Sequence, residues 1–262
     1  LTQAEGWHTI TLSGNRNWFV DNYSSLNVPR VIEVAGNTGK ISRRILEASN
    51  PFEGYNTGEI TLGSIKADDG EDLYYRLIKP AGFDPSQKYP VIHYVYGGPH
   101  SQMVRNSWKA SLRMWEMYMA QRGYVVFVMD NHGTPNRGKA FEEIIHRQCG
   151  QQEMADQVKG IEFVKNHPWV DATRIGVHGW SYGGFMTITL LTNHPEIYKV
   201  GVAGGPVIDW KWYEAMYGER YMDSPQENPE GYEKTSLINK AKDLKRKLLI
   251  CQGAIDPVVV WE

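Results

Sequence analysis

Cysteine is scarce: Cys149 and Cys251 are the only two in 262 residues. They lie far apart, make no disulfide framework, and have no metal-ligand spacing around them, so cysteine usage leaves the compartment undetermined. Cys251 closes the apolar run Leu248-Leu249-Ile250-Cys251, and a buried core thiol is expected there. No apolar run is long enough to span a bilayer. Neither sign of charge dominates. The formal net charge of −2 offers no electrostatic case for nucleic acid or an anionic membrane. There is no low-complexity segment and no internal repeat. Leu1 opens the chain without Met, a basic n-region or an apolar h-region, so any targeting segment is expected upstream.

The composition is 41% hydrophobic and 22% charged, which fits a globular protein. The length suits one large domain, or one domain plus a piece of another. The 9 Trp and 15 Tyr suit a carbohydrate or peptide cleft, but they suit a large core equally well.

Residues 1–50 read as all-β. His8–Leu12, Trp18–Asp21 and Val28–Val34 are strand-like, with turns at Ser13-Gly14-Asn15 and Gly36-Asn37-Thr38-Gly39. Three or four strands joined by tight turns look like one blade of a β-propeller. An edge sheet of the main domain is the alternative. Asn50–Asn56 is a candidate linker, which divides the chain into residues 1–50 and 51–262. From Glu59 strands alternate with helices. The strands are Glu59–Ile65, Leu73–Ile78, Val91–Tyr96, Tyr124–Met129, Ile175–His178, Val200–Ala203 and Leu248–Cys251. Helices are expected over Ser107–Arg122, Arg137–His146, Glu153–Asn166 and Gly183–Thr192. This order predicts an α/β domain whose later strands are parallel.

Within it lies Arg174-Ile175-Gly176-Val177-His178-Gly179-Trp180-Ser181-Tyr182-Gly183-Gly184-Phe185. A bare Gly-x-Ser-x-Gly occurs by accident in roughly one in ten to one in five such chains. Placed between a strand and an apolar helix, it has the context of a nucleophile elbow, which holds a serine exposed on a sharp turn. The helix that follows aims free N–H groups and its positive end at the site. Tyr94-Val95-Tyr96-Gly97-Gly98-Pro99 ends another strand, where α/β hydrolases carry part of the oxyanion hole, and Tyr96 offers a phenol O–H. A strand-terminating turn with a core tyrosine is the plainer alternative. Asp256, after the last strand, is placed to orient a histidine; an Asp before Pro is otherwise a common turn residue.

Trp210, Tyr213 and Tyr217 are spaced three and four apart, which predicts one helical face. Flat aromatic walls suit an apolar ring such as proline, although such stripes are usually core. Glu214 and Glu219 are candidates to attract a substrate amine. The histidines are His8, His93, His100, His132, His146, His167, His178 and His194, and none follows Asp256. In Ser–Asp–His order the base is therefore missing from these residues. His132, in a loop after a middle strand, is expected to be structural or to line the cleft. His194 is expected at the far end of the elbow helix. The 262-residue chain is therefore expected to be hydrolytically inert.

Together these words resemble the prolyl oligopeptidase family of serine peptidases, and more closely its dipeptidyl peptidase IV branch, which includes bacterial prolyl tripeptidyl peptidases. The likeness rests on Tyr94-Val95-Tyr96-Gly97-Gly98-Pro99, Gly179-Trp180-Ser181-Tyr182-Gly183-Gly184, Met216-Tyr217-Gly218-Glu219-Arg220-Tyr221 and Gly253-Ala254-Ile255-Asp256. The resemblance implies an α/β-hydrolase domain capped by a propeller that admits short peptides. It implies Ser181 as nucleophile, Asp256 as triad acid, and Tyr96 with the Tyr182 N–H as oxyanion donors. It implies a proline pocket of Trp210, Tyr213, Tyr217, Val207 and Val259. It further implies a homodimer of the full-length protein at the cell surface or in the periplasm, acting on short peptides with proline near the N-terminus. No metal or other cofactor is expected.

Three departures stand out. The family's histidine, some thirty residues after the Asp, is absent. So is most of the propeller, including the acidic residues that hold the substrate amine. Val258 stands where dipeptidyl peptidase IV has a substrate-contacting asparagine, and His132 where an arginine is common, which leaves dipeptidyl against tripeptidyl release undecided. The expected function is the C-terminal part of an exopeptidase releasing di- or tripeptides after proline. An esterase or acylaminoacyl peptidase on the same scaffold and an inactive hydrolase-like binding module are the rivals.

Overall fold

The computed structural model describes residues 1–261. Its first 50 residues form a separate antiparallel meander of β1 (Trp7–Leu12), β2 (Trp18–Ser25), β3 (Val28–Gly36) and β4 (Ile41–Glu47). Period-2 alternation sets its faces. Phe19, Asp21 and Tyr23 of β2 and Val31, Glu33 and Ala35 of β3 are buried, while Trp18 and Val20 are exposed. This is a propeller-blade fragment, not an edge of the main sheet.

The main sheet contains β5 (Ile60–Lys66), β6 (Asp72–Ile78), β7 (Tyr89–Tyr94), β8 (Val125–Met129), β9 (Val170–Trp180), β10 (Val200–Gly204) and β11 (Lys247–Cys251). Their spatial order is β5-β6-β8-β7-β9-β10-β11. The first three neighbours pair antiparallel, and from β8 onward all pair parallel. Parallel pairing needs crossovers. These are α1 (Met114–Gln121), α3 (Gln151–Lys165) and α4 (Tyr182–Asn193), with the short α2 (Lys139–Glu143) ahead of α3. α5 (Ala215–Met222) and α6 (Pro229–Thr235) lie between β10 and β11. β8 is buried along its whole length because both faces are covered. Val126 and Val128 join Ala120 of α1 on one side. Val125, Phe127 and Met129 join Ile161 and Val164 of α3 on the other.

Four local expectations are corrected. The continuous helix over Ser107–Arg122 is instead a 3-10 turn at Trp108–Ser111 followed by α1, with Lys109 and Ala110 left-handed at φ 49° and 55°. Tertiary bonds override helix propensity there. The N–H groups of Trp108 and Lys109 donate to Ser24 Oγ and Leu26 O of the blade, and buried Arg76 donates to the carbonyl of Ala110. The helix expected over Arg137–His146 shrinks to Lys139–Glu143. α6 was not expected, although Asn228 as N-cap and Pro229 after it are its start signals. Cys251 is half-buried, not core. β11 is the outermost strand, and Leu249 and Ile250 on it are exposed.

Candidate active site

β9 ends at Trp180 and α4 begins at Tyr182, so a single residue, Ser181, makes the strand-to-helix turn. Its φ of 60° and ψ of −117° lie in a region that sterics disfavour for any residue with a Cβ, and such strain persists only where the surroundings over-determine it. Here they do. The Ser181 N–H donates to Gly204 O at 2.8 Å, and its carbonyl accepts from Gly184 and Phe185 at 2.8 and 3.1 Å. The two glycines of the motif permit a crossing no side chain would allow. A Cβ on Gly179 would lie 2.3 Å from the carbonyl oxygens of both Gly183 and Val95, and one on Gly183 would lie 2.3 Å from Val95 O. Strand, helix and the loop after β7 thus meet at one point, with half-buried Ser181 at its mouth.

The loop after β7 carries Tyr96 beside this point. The Val95 N–H donates to His178 O at 2.9 Å, and Asn131 Nδ2 donates to Gly97 O at 2.9 Å. The Tyr96 ring lies 6.2 Å from the Tyr182 ring. Burial first, then Tyr221, raises the Tyr96 hydroxyl above the usual tyrosine range, which keeps its proton available for donation. Tyr182 is the first residue of α4, so its N–H is one of the four that a helix leaves without an internal partner.

Parallel pairing brings Asp256 to the same edge. Across three strands Trp180, Gly204 and Cys251 are in register, so Ser181, Gly205 and Gln252 leave the sheet together. Asp256 Oδ1 accepts from the Val258 and Val259 N–H groups, both at 3.0 Å. These bonds hold the carboxyl below its ordinary range. Oδ2 lies 3.8 Å from where a Cβ on Gly205 would stand. The site is therefore at the carboxyl ends of the strands, where open α/β sheets place their ligands.

Each histidine has a polar neighbour that is neither Ser181 nor Asp256. His132, buried, meets Asp156 at 2.7 Å through Nδ1 and Asp69 at 3.1 Å through Nε2. Burial disfavours its imidazolium, but the bonds and charges of the two aspartates outweigh that and raise its pKa. It joins α3 to the β5–β6 hairpin and has no free nitrogen. His93 sits between Tyr198 and Gln157. His178 Nδ1 faces Val202 O, and His167 Nδ1 the carbonyls of Phe163 and Val164. His8, His146 and His194 pair with Asp21, Asp223 and Glu196. His100 lies 3.7 Å from Glu142.

Trp210, Tyr213 and Tyr217 do come together, but not on one helix. Trp210 opens a 3-10 turn, Tyr213 caps it in extended conformation, and Tyr217 belongs to α5. The helical spacing is broken at Tyr213, whose extended ψ of 165° ends the turn before α5 begins, while Asp209 caps the turn's start, accepting from Lys211 N–H and from Ser236 Oγ. Trp210 stacks on Tyr217 with centroids 5.9 Å apart and planes 15° apart, and Tyr213 stands edge-on to both. Tyr182 lies 5.2 Å from Trp210. Val207, Tyr213 and Val259 line a cavity of about 440 Å³, whereas Trp210 and Tyr217 are not among its walls. Glu214 and Glu219 are exposed.

Sequence reasoning passed over two neighbours. Tyr221, 4.8 Å from Tyr217, continues the aromatic row at a spacing of four. Glu153, whose carboxylate accepts the Tyr182 hydroxyl, is buried beneath the elbow. Its only signal was a glycine three residues ahead of a Glu at a helix start, half of a capping box. Among the described residues no cluster of three or more His, Cys, Asp or Glu has metal-binding geometry, and no helix is long and apolar enough to cross a membrane.

The sheet, the strained serine elbow and the tyrosine-bearing loop define an α/β-hydrolase of the serine type. Residues 110–262 match the prolyl oligopeptidase family. The chain belongs to that family of serine peptidases. It is similar to mouse (Mus musculus) dipeptidyl peptidase 8, 33% identical over 98% of this chain and 30% of that protein. A solved Bacteroides ovatus chain assigned as a dipeptidyl aminopeptidase IV superposes with a TM-score of 0.96 at 52% identity, covering 98% of this chain and 37% of that one. Porphyromonas gingivalis dipeptidyl peptidase 4 gives 0.90 at 36% identity, over 97% and 36%. The chain thus spans about a third of the length of these relatives.

Proposed function

We propose that this chain is the catalytic segment of a serine exopeptidase that releases N-terminal di- or tripeptides after proline. The observation that carries the reading is Ser181 at φ 60° and ψ −117° on the sheet edge it shares with Asp256 and Tyr96. Ser181 would attack the scissile carbonyl and form an acyl-enzyme. Tyr96 O–H and Tyr182 N–H would hold the oxyanion. Asp256 would orient a histidine supplied by residues outside this segment. The peptidase relatives, together with a strained serine that a binding module has no need of, favour this over an esterase or an inactive binder.

A fluorophosphonate probe tests it directly. Full-length protein should be labelled at Ser181 and lose its peptidase activity in step. Activity that survives complete labelling, or no labelling at all, would remove the reading.

Specificity is tested at the aromatic cluster. Tyr213→Ala and Tyr217→Ala in the full-length protein should lower kcat/KM on alanyl-prolyl reporters more than on alanyl-alanyl ones. Loss of well-packed ring contacts to the proline should cost on the order of 1–3 kcal/mol. Equal losses on the two reporters would show that the rings only support the core.

A further inference from the structure

Beneath the elbow lies a buried polar group that the proposed chemistry does not use. Glu153, on the first turn of α3, has no exposed surface. Its Oε1 accepts the Tyr182 hydroxyl at 2.6 Å and its Oε2 accepts the Gly150 N–H at 2.8 Å. The Cys149 thiol adjoins the same hydroxyl. Burying a carboxyl is costly unless its bonds repay it, and here the carboxyl satisfies two buried donors. What the carboxyl holds is the ring of the residue next to the nucleophile.

That ring touches both halves of the oxyanion site. A Cβ on Gly98 would lie 2.8 Å from Tyr182 Cγ and 2.8 Å from Tyr96 Cε1, so the loop carrying Tyr96 rests directly on Tyr182. The Tyr182 main chain supplies the other donor and directly follows the strained Ser181. The geometry points to Glu153 as a positioning residue for catalysis: through the Tyr182 hydroxyl it sets the relative placement of the Tyr182 N–H and the Tyr96 phenol. It touches no substrate, and its role rests on the serine-peptidase reading above.

Burial lifts the Glu153 carboxyl to about 7, with the bonds from Tyr182 and Gly150 opposing the rise and Asp156 adding to it. The bond to Tyr182 is thus not a fixed surface ion contact but one that depends on an acceptor kept in a dry site. Glu153→Gln retains the shape and offers one acceptor where two donors converge, so the amide N–H₂ must face either the Tyr182 hydroxyl or the Gly150 N–H.

The test measures the rate constant of fluorophosphonate labelling at Ser181, and kcat and KM on an alanyl-prolyl reporter, in the full-length protein. Glu153→Gln and Tyr182→Phe should each lower the labelling rate constant and kcat about ten-fold or more, since misplacement near 1 Å costs up to ~10². KM should stay within about two-fold, and the double variant should be no slower than the slower single one, because both act through the same contact. A merely structural role would lower the labelled fraction or the melting temperature and leave the rate constant of the remaining molecules unchanged; that result overturns the inference. If Glu153→Gln fails to fold, Tyr182→Phe, which deletes one oxygen, decides alone, and an unchanged rate constant in it overturns the inference. Failure of the unaltered protein to label would sink the proposed function and this inference with it, whereas normal labelling with unaffected variants sinks the inference only.

Discussion

A polypeptide of residues 1–262 will turn over an alanyl-prolyl reporter roughly 10⁴–10⁶ times more slowly than the full-length protein, the usual loss when one triad member is missing. Ser181 is a weak nucleophile at its free pKa and needs an adjacent base. Each of the eight histidines has a polar neighbour that is neither Ser181 nor Asp256. His194, the only one after Ser181 in sequence, caps the far end of α4 and pairs with Glu196. A helix of 12 residues puts it about 18 Å from the elbow. His132 has both ring nitrogens on aspartates. Side-by-side kcat measurements on the two proteins, with fluorophosphonate labelling of each, check the prediction. Comparable turnover would mean that one of these histidines leaves its partner to act as base.

Tyr96→Phe in the full-length protein will lower kcat by about 10²–10³ with little change in KM. That is the usual cost of one oxyanion donor. The substitution removes a single oxygen and keeps the ring, which packs 6.2 Å from Tyr182, so the loop should hold its course. Burial keeps the Tyr96 phenol protonated throughout the neutral range, so the loss should be the same from about pH 6 to about pH 9. A KM effect follows only if the hydroxyl also binds the ground-state carbonyl. Steady-state kinetics on one dipeptide reporter measure both constants, and an unchanged kcat would make Tyr96 a structural residue.

The chemistry-bearing words of this chain were legible because each is local. Gly179 to Gly183, Tyr94 to Pro99 and the strands from Glu59 onward are short patterns whose backbone demands are written in neighbouring residues, and period-2 burial follows from the pleat alone. The blade in residues 1–50 was legible for the same reason. What the sequence could not contain was decided by contacts far apart along the chain. The break at Lys109 and Ala110 exists because Ser24, Leu26 and Arg76 take up groups that helix formation would otherwise use. Trp210, Tyr213 and Tyr217 meet although they stand on a 3-10 turn, its cap and a separate helix, because the chain turns at Tyr213 and their rings pack on one another. Glu153 reads as an ordinary helix-start glutamate until α3 and α4 are placed together, when its carboxylate is found under the serine's neighbour. Local pattern was enough for the strands and for the residue types of the site, but not for the extent of the helices over Ser107–Arg122 and Arg137–His146. Which groups share the site's dry interior depends on where distant segments come to rest, because burial and long-range hydrogen bonds are set there.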